Sequence, residues 1–331
     1  MSRPSPPFVR PHAKDPHMPR IQPAGLPLHL TQEVTDALNA GHPVVALESQ
    51  ALAHNLPASE RMDAALRLED AVRSGGAVPA MIAVEEGHLV VGMTQALTER
   101  LVSTPEIPRI SGKDLPLALA QNGTGVTTLS ACLLAAEAAR IPFLVSADIA
   151  TAHRRPGPEG EVSCDVLQLT RSRVAVVCPG TKSISPSVRY LQRHGVPVFS
   201  HGFDGFPSSS CSSRPTPIPY RLDDAMLVGR AIEAHWALGN RSCVLITTPV
   251  VKRDSGAGSD GRSEADDALR FAAKNGIRID ALTSYLVRLV QRPEEECSGA
   301  DDVPALVSAA EVGGRLAATH AGNKQKSQTI E

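Results

Sequence analysis

Two residues of this chain stand where an α/β fold would bring them together for chemistry. Glu48 comes directly after the apolar run 43–47, which predicts a buried strand, and Lys182 follows the apolar run 174–177. Ligands of α/β folds bind at the carboxyl ends of the strands. A desolvated lysine loses its proton readily and attacks an aldehyde to form a Schiff base, and a buried carboxyl suits acid–base work. The two side chains therefore predict a site that acts on a carbonyl compound.

Both residues also have an ordinary structural interpretation. Glu48 could cap the turn after its strand, and Lys182 could be a solvated or phosphate-binding side chain. Only seven of the 33 Lys and Arg residues are lysines, and the others fall on segments that read as surface, loop or tail. The position of Lys182 after a buried strand is what favours the nucleophile.

Three further segments are candidates for ligand binding. Segment 122–128 carries two glycines before a helix, a place that suits either a phosphate or a simple helix cap. His153 lies beside two arginines, which could bind an anion or form a solvated loop. Glu161 and Asp165 are four residues apart, on one face if the segment is helical; they could ligate Mn²⁺ or Mg²⁺, or form an acidic first turn.

Composition excludes several classes of protein. The 331 residues carry a net charge of −2, with 42% hydrophobic and 3% aromatic residues, which disfavours a nucleic-acid polymer or a membrane as partner. No apolar run is long enough to cross a membrane. The six cysteines form no C-x-x-C pair, and no secretory segment is evident, so we expect a reducing, cytoplasmic location.

Strand-like runs alternate with helical patterns along the chain, which predicts an α/β fold with a largely parallel, buried sheet flanked by helices. The predicted strands are 43–47, 80–84, 88–92, 143–145, 174–177, 196–199 and 243–247. The predicted helices begin at a cap on Thr31 and continue with 59–74, 114–120, 127–139, 162–170, 185–194, 225–238, 264–275, 283–291 and 303–319. We expect one domain over residues 28–320, a disordered Pro-rich segment at 1–27 and a disordered tail at 321–331.

The order of these segments resembles the family of pseudouridine-5'-phosphate glycosidases, which includes indigoidine synthase A-like enzymes and C-glycosynthases. The matching stretches are 43–49, 75–80, 114–116, 127–128, 153–154, 176–184, 190–191, 195–197 and 221–223. The resemblance implies reversible cleavage of the C–C glycosidic bond that joins uracil to ribose 5-phosphate, through a lysine imine with the ring-opened sugar. It also implies Mn²⁺ (or Mg²⁺) as cofactor and a homotrimeric assembly.

The resemblance assigns roles to residues of this sequence by position. Lys182 matches the nucleophile, Glu48 the proton donor and Glu161 the metal-binding aspartate. The positions that it assigns to substrate binding are Gly123, Phe143, His153, Ser163, Cys164 and Asp165. For Phe143, the implied contact is mainly through the backbone.

Some expected ligand-contacting positions depart from the family pattern. A Thr-Gly-Gly-Ile-Gly-Gly segment is replaced by residues 146–151, Gly123 stands where a lysine contacts substrate, and Glu161 is one methylene longer than aspartate. These changes leave three hypotheses open: the same chemistry with a different acceptor, a Schiff-base aldolase or lyase acting on another phosphosugar, or a catalytically silent homologue that binds a sugar phosphate.

Overall fold

In a computed structural model of the protein, the described residues are 25–50, 52, 56–147, 149, 162–179, 184–203, 220–249 and 303–328. The helices predicted at 264–275 and 283–291, and the disorder predicted at 1–27, lie outside this description except for residues 25–27. Lys182, Glu161 and His153 lie outside it as well.

The described elements alternate between strands and helices. The strands are β1 Leu28–Leu30, β2 Val44–Glu48, β3 Val78–Glu85, β4 His88–Val91, β5 Arg109–Ile110, β6 Gly125–Thr127, β7 Phe143–Val145, β8 Ala175–Cys178, β9 Val198–Ser200 and β10 Val244–Thr247. The helices are α1 Gln32–Asn39, α2 Ala58–Ser74, α3 Gln95–Ser103, α4 Leu115–Ala120, α5 Leu129–Ala138, α6 Cys164–Leu169, α7 Ile184–Arg193, α8 Ala225–Ala237 and α9 Val303–Gln328.

The strands form one sheet in the order β1-β4-β3-β2-β7-β8-β10-β9, and β6 pairs with β3 and β5. Strands β3, β2, β7, β8, β10 and β9 are parallel, whereas β4 and β6 run antiparallel to β3. The prediction of an α/β fold with a largely parallel sheet is therefore confirmed.

Both faces of the sheet are covered by helices. Along β2, Val44 and Ala46 belong to one apolar core and Val45 and Leu47 to the other, as the alternation of side chains along a strand requires. The first core contains buried side chains of α1, α4, α5, α6 and α7, and the second contains those of α2, α8 and α9. This double burial explains why the central strands are continuous apolar runs in the sequence.

Helix α9 lies unusually close to its neighbours because glycines form the contacts. A Cβ on Gly314 would lie 2.5 Å from the Val72 carbonyl oxygen, and one on Gly75 would lie 2.4 Å from the Glu311 carbonyl oxygen. A Cβ on Gly313 would lie 2.7 Å from a methyl group of Val145 in the sheet. These close approaches fix α9 against both α2 and the strands that carry the candidate site.

Several elements differ from the sequence-based expectation. Strands β1, β5 and β6 and helix α3 were not predicted, and Thr127 ends a strand instead of opening a helix. Helix α9 continues to Gln328, so residues 321–328 are helical where a disordered tail is expected from the sequence. In the described part of the chain, no helix is long and apolar enough to span a membrane.

Candidate active site

The carboxyl ends of four adjacent strands meet at one edge of the sheet. Parallel pairing places Leu47 beside Val145, Val145 beside Val177, and Val177 beside Ile246. We call this the carboxyl edge and define it by the residues at or just after the strand ends: Glu48 of β2, Ser146 after β7, Cys178 of β8 and Thr248 after β10. Such an edge is where α/β folds bind their ligands.

Glu48 is buried and held at this edge by a neighbouring strand. Glu48 is the last residue of β2, directly after the buried run Val44–Leu47, and only 8% of its surface is exposed. Ser146 Oγ donates a hydrogen bond of 2.6 Å to Glu48 Oε2, while the Ser146 amide donates to the Val177 carbonyl at 3.1 Å. The arrangement presents an oriented carboxyl group that is capable of proton transfer.

Hydrogen bonds of the Ser49 and Thr127 hydroxyl groups anchor the chain directly after Glu48. Ser49 Oγ donates to the Ile82 carbonyl at 2.6 Å and accepts from the Thr127 amide at 3.0 Å. Thr127 Oγ1 also donates to the Ile82 carbonyl, at 2.7 Å. These hydrogen bonds tie the ends of β2 and β6 to β3, which restricts movement of the backbone next to Glu48.

Asp165 holds the start of helix α5. Its Oδ1 accepts from Thr128 Oγ1 and from the Ser130 amide, both at 2.8 Å. Ser163 caps α6 by accepting from the Val166 amide at 3.2 Å, and Cys164 Sγ lies 3.4 Å from Ser130 Oγ. Three predicted substrate-binding residues are thus brought together, each with a local structural contact.

A buried thiol connects this group to Glu48. Cys132, which is fully buried, lies with its Sγ 3.1 Å from Thr127 Oγ1. Burial raises the pKa of the Cys132 thiol well above its usual range, and the nearby Glu48 and Asp165 carboxylates raise it further. Both carboxylates therefore lie within electrostatic reach of the same neutral thiol.

Helix α6 begins at Cys164 with Ser163 as its cap, so Asp165 lies in the first turn of that helix. Glu161, the other residue of the predicted acidic pair, lies outside the described residues. The described residues contain no group of three or more His, Cys, Asp or Glu side chains that could hold a metal ion. They supply no assembled site for Mn²⁺ or Mg²⁺, and we route no chemical step through a metal.

Two other predicted substrate-binding residues are not among the strand ends that define the carboxyl edge. Gly123 is buried beside the β3–β4 turn, where its carbonyl accepts from the Gly87 amide at 3.0 Å. Phe143 is the first residue of β7, at the opposite end from Ser146, and its fully buried ring packs edge-on against His320 at 5.5 Å between centroids. In this chain the Phe143 side chain has a packing role.

The remaining predicted residues belong to segments outside the described ranges. Lys182 falls in the connection between β8 and α7, His153 and Glu161 in the connection between β7 and α6. Both connections begin at carboxyl ends of strands, after Cys178 and Val145. Sequence reasoning missed the role of Ser146, whose signal was a hydroxyl residue directly after a buried strand.

The comparisons with known proteins agree with this architecture. Residues 33–319 match the sequence profile of the family described as indigoidine synthase A like protein. A pseudouridine-5'-phosphate glycosidase of Dickeya dadantii is 43% identical over 88% of this chain and 94% of its own length. Pseudouridine-5'-phosphate glycosidase 1 of Photorhabdus laumondii is 38% identical over 88% of this chain and 93% of its own length.

Two solved structures are also similar. The prealnumycin C-glycosynthase AlnA, crystallised in complex with ribulose 5-phosphate, superposes with a TM-score of 0.75 at 34% identity, over 92% of this chain and 100% of that chain. An indigoidine synthase A-like protein of Thermotoga maritima shares the fold, with a TM-score of 0.66 at 20% identity over 92% of this chain and 99% of that chain. With the profile match and the close relatives, this chain belongs to the indigoidine synthase A-like family.

Proposed function

We propose that this protein is a C-glycosidase that breaks or forms the C–C bond between ribose 5-phosphate and uracil or a related acceptor. The observation that carries the proposal is the buried carboxyl of Glu48, oriented by Ser146 at the carboxyl edge. The relatives named as pseudouridine-5'-phosphate glycosidases and the C-glycosynthase with ribulose 5-phosphate support this class of reaction.

We propose Lys182 as the nucleophile. The connection that carries it starts at Cys178, and β8 is separated from β2 only by β7. Two strand spacings put the ends of β2 and β8 about 10 Å apart, a gap that a lysine side chain and a sugar together can span. These strand spacings support Lys182 and Glu48 as partners in one site.

A C–C glycosidic bond needs more than acid catalysis, because the leaving group is carbon. In cleavage, Lys182 Nζ adds to C1 of the sugar, and the ring oxygen leaves with a proton from Glu48. The new ammonium returns a proton to Glu48, which delivers it to C5 of uracil as the C1–C5 bond breaks. The nitrogen lone pair forms the imine, and water releases ribose 5-phosphate and free lysine.

Retention of this pair fits altered acceptor choice better than loss of catalysis. The hydroxyl of Ser146, at the first position of the replaced Gly-rich segment, is turned to Glu48 and holds it. The side chain that replaces the family residue therefore takes part in the candidate machinery. We propose that the other changes in residues 146–151 act on which acceptor binds.

Metal dependence, assembly and location complete the proposal. We propose Mn²⁺ or Mg²⁺ as cofactor through Glu161 and a homotrimeric assembly, both implied by the family. We also propose a cytoplasmic location, which the pattern of the cysteines favours. Light scattering of the purified protein gives the assembled mass and tests the homotrimer.

Borohydride trapping tests the central step. The protein is incubated with ribose 5-phosphate, reduced, and analysed by intact mass and peptide mapping, with Lys182→Arg as matched control. We expect a secondary-amine adduct on Lys182, and formation of pseudouridine 5'-phosphate from ribose 5-phosphate and uracil that Lys182→Arg abolishes. An adduct without any base-dependent product would favour the aldolase hypothesis, and a folded protein without an adduct would favour the silent homologue.

A further inference from the structure

At the end of β10, Thr248 carries a hydroxyl group that is buried without a hydrogen-bond partner. The residue is fully buried, and within the described part of the chain its Oγ1 has no partner. Its amide donates to the Cys178 carbonyl at 3.0 Å, which fixes its backbone in the sheet edge. The preceding Thr247 differs, because its Oγ1 donates to the Phe199 carbonyl at 3.3 Å.

An unpartnered buried hydroxyl is an unfavourable feature of a folded protein. Burying a hydroxyl without a hydrogen bond destabilises the native state, and valine has nearly the same shape without the polar atom. Such groups are uncommon in native structures and call for a specific explanation. At the carboxyl edge, a ligand oxygen provides that explanation.

The position of Thr248 along the edge indicates which part of a ligand it meets. Strand β10 lies on the other side of β8 from β7 and β2, so Thr248 is three strand spacings, about 14 Å, from Glu48. The connection with Lys182 leaves the edge between them, at Cys178. The reacting carbon must lie near both Glu48 and Lys182, which leaves the far half of the sugar phosphate for Thr248.

We propose that the Thr248 hydroxyl donates a hydrogen bond to an oxygen atom in the half of the sugar phosphate remote from C1. This inference rests on the proposed function and adds a positioning residue to it. Because the contact is remote from the bond that breaks, it contributes similarly to binding of the ground state and the transition state. Its loss therefore raises KM more than it lowers kcat.

The test compares Thr248→Val, Thr248→Ser and a matched control, Thr35→Val. Thr35 on α1 has the other buried threonine hydroxyl without a described partner, and it is not part of the carboxyl edge. Kinetics with ribose 5-phosphate and uracil give KM and kcat, thermal shift with ribose 5-phosphate gives binding, and unfolding without ligand gives Tm.

For Thr248→Val we expect KM for ribose 5-phosphate to rise about ten- to hundredfold, with a smaller change in kcat and an equal or higher Tm. Thr248→Ser should keep KM close to wild type, and Thr35→Val should keep both constants. A wild-type KM in Thr248→Val, or a Tm well below wild type, would overturn the inference.

Failure of the proposed function has a different signature. If the wild-type protein forms neither an imine nor a product, the proposed function is wrong. Thermal shift with ribose 5-phosphate still tests whether Thr248 contributes to binding of the sugar phosphate. A shift by ribose 5-phosphate that wild type and Thr35→Val show and Thr248→Val lacks supports the contact. Absence of any shift in the wild type overturns it.

Discussion

Ser146 Oγ and Glu48 Oε2 are joined by a hydrogen bond of 2.6 Å that links the ends of β7 and β2 across 98 positions of the chain. This bond fixes the orientation of the Glu48 carboxyl group, which transfers the proton in the mechanism that we propose. We expect Ser146→Ala to lower kcat about tenfold or more. Steady-state kinetics on protein of verified Tm measures this.

Ser146→Thr is the matched control, because it keeps the hydroxyl and restores the family residue. It should retain activity within a few-fold of wild type. Equal kcat values for Ser146→Ala and wild type would remove the orienting role that we assign to Ser146.

Asp165 contributes to stability through the start of α5. Asp165→Ala leaves the Thr128 hydroxyl and the Ser130 amide without their acceptor, and we expect a loss of about 1–3 kcal/mol in the free energy of unfolding. Asp165→Asn keeps a carbonyl oxygen and should lose less. Denaturant unfolding followed by circular dichroism measures both, and an unchanged Asp165→Ala would contradict the capping role.

Glu69 on α2 should make stability depend on pH in an unusual direction. Burial raises the pKa of this carboxyl above its ordinary value of 4.5, although Arg73 acts against the shift. The folded state therefore binds the proton more tightly than the unfolded state, so this group's contribution to stability falls as pH rises through that range. Glu69→Gln should raise Tm at pH 7, with a smaller gain near pH 4.

Glu60→Gln is the control for this effect, since Glu60 lies in the exposed first turn of the same helix. There a carboxylate interacts favourably with the helix dipole, so its removal should give no gain in Tm. An equal gain at both pH values for Glu69→Gln would show that proton binding is not the cause.

The close contact between α2 and α9 predicts opposite effects for two glycines of one helix. Gly314→Ala would place its Cβ against the Val72 carbonyl and should lower Tm, because two backbones would have to separate. Gly322 has nothing within 4 Å of a Cβ, and Gly322→Ala should stabilise the helix by about 0.5–1 kcal/mol. Thermal unfolding of both variants measures the two changes in Tm. Equal changes in Tm for Gly314→Ala and Gly322→Ala would argue against the close packing of α2 and α9.

Metal dependence is tested separately from the imine. We expect EDTA treatment followed by gel filtration to lower product formation and added Mn²⁺ to restore it. Glu161→Gln should then need more Mn²⁺ for half of its full activity. Undiminished activity in protein that elemental analysis shows to be free of metal would exclude the cofactor proposal.

The strands that position the candidate site could be predicted because they are buried on both faces and therefore consist almost entirely of apolar residues. Strands β2, β7, β8 and β10 are apolar runs with both faces covered, and each observed end lies within one residue of its predicted end. Glu48 is a candidate because it comes directly after such a run. Long-range partners were harder, because nothing in the sequence shows that β7 lies beside β2.

The missed elements lack a periodic pattern of their own. Strands β5 and β6 have two and three residues. Because β6 borders the small-residue run of α5, the helical pattern in the sequence also includes Thr127. Helix α9 continues beyond the end of its apolar pattern, because residues 321–328 include the helix-forming residues Ala, Lys and Gln and no proline. No sequence pattern marks Thr248, because its distinguishing feature is a buried hydroxyl group without a hydrogen-bond partner in the described part of the chain.

Glu48 and Ser146 are 98 positions apart in the chain, so their contact depends on when distant strands pair during folding. The β3–β4 hairpin closes locally, within residues 78–91, whereas the Glu48–Ser146 contact must wait until β7 has inserted beside β2. Pairings of such long range form slowly because a large loop must close first. In refolding, catalytic competence should therefore appear after most secondary structure, so that recovered turnover reports completion of the central sheet.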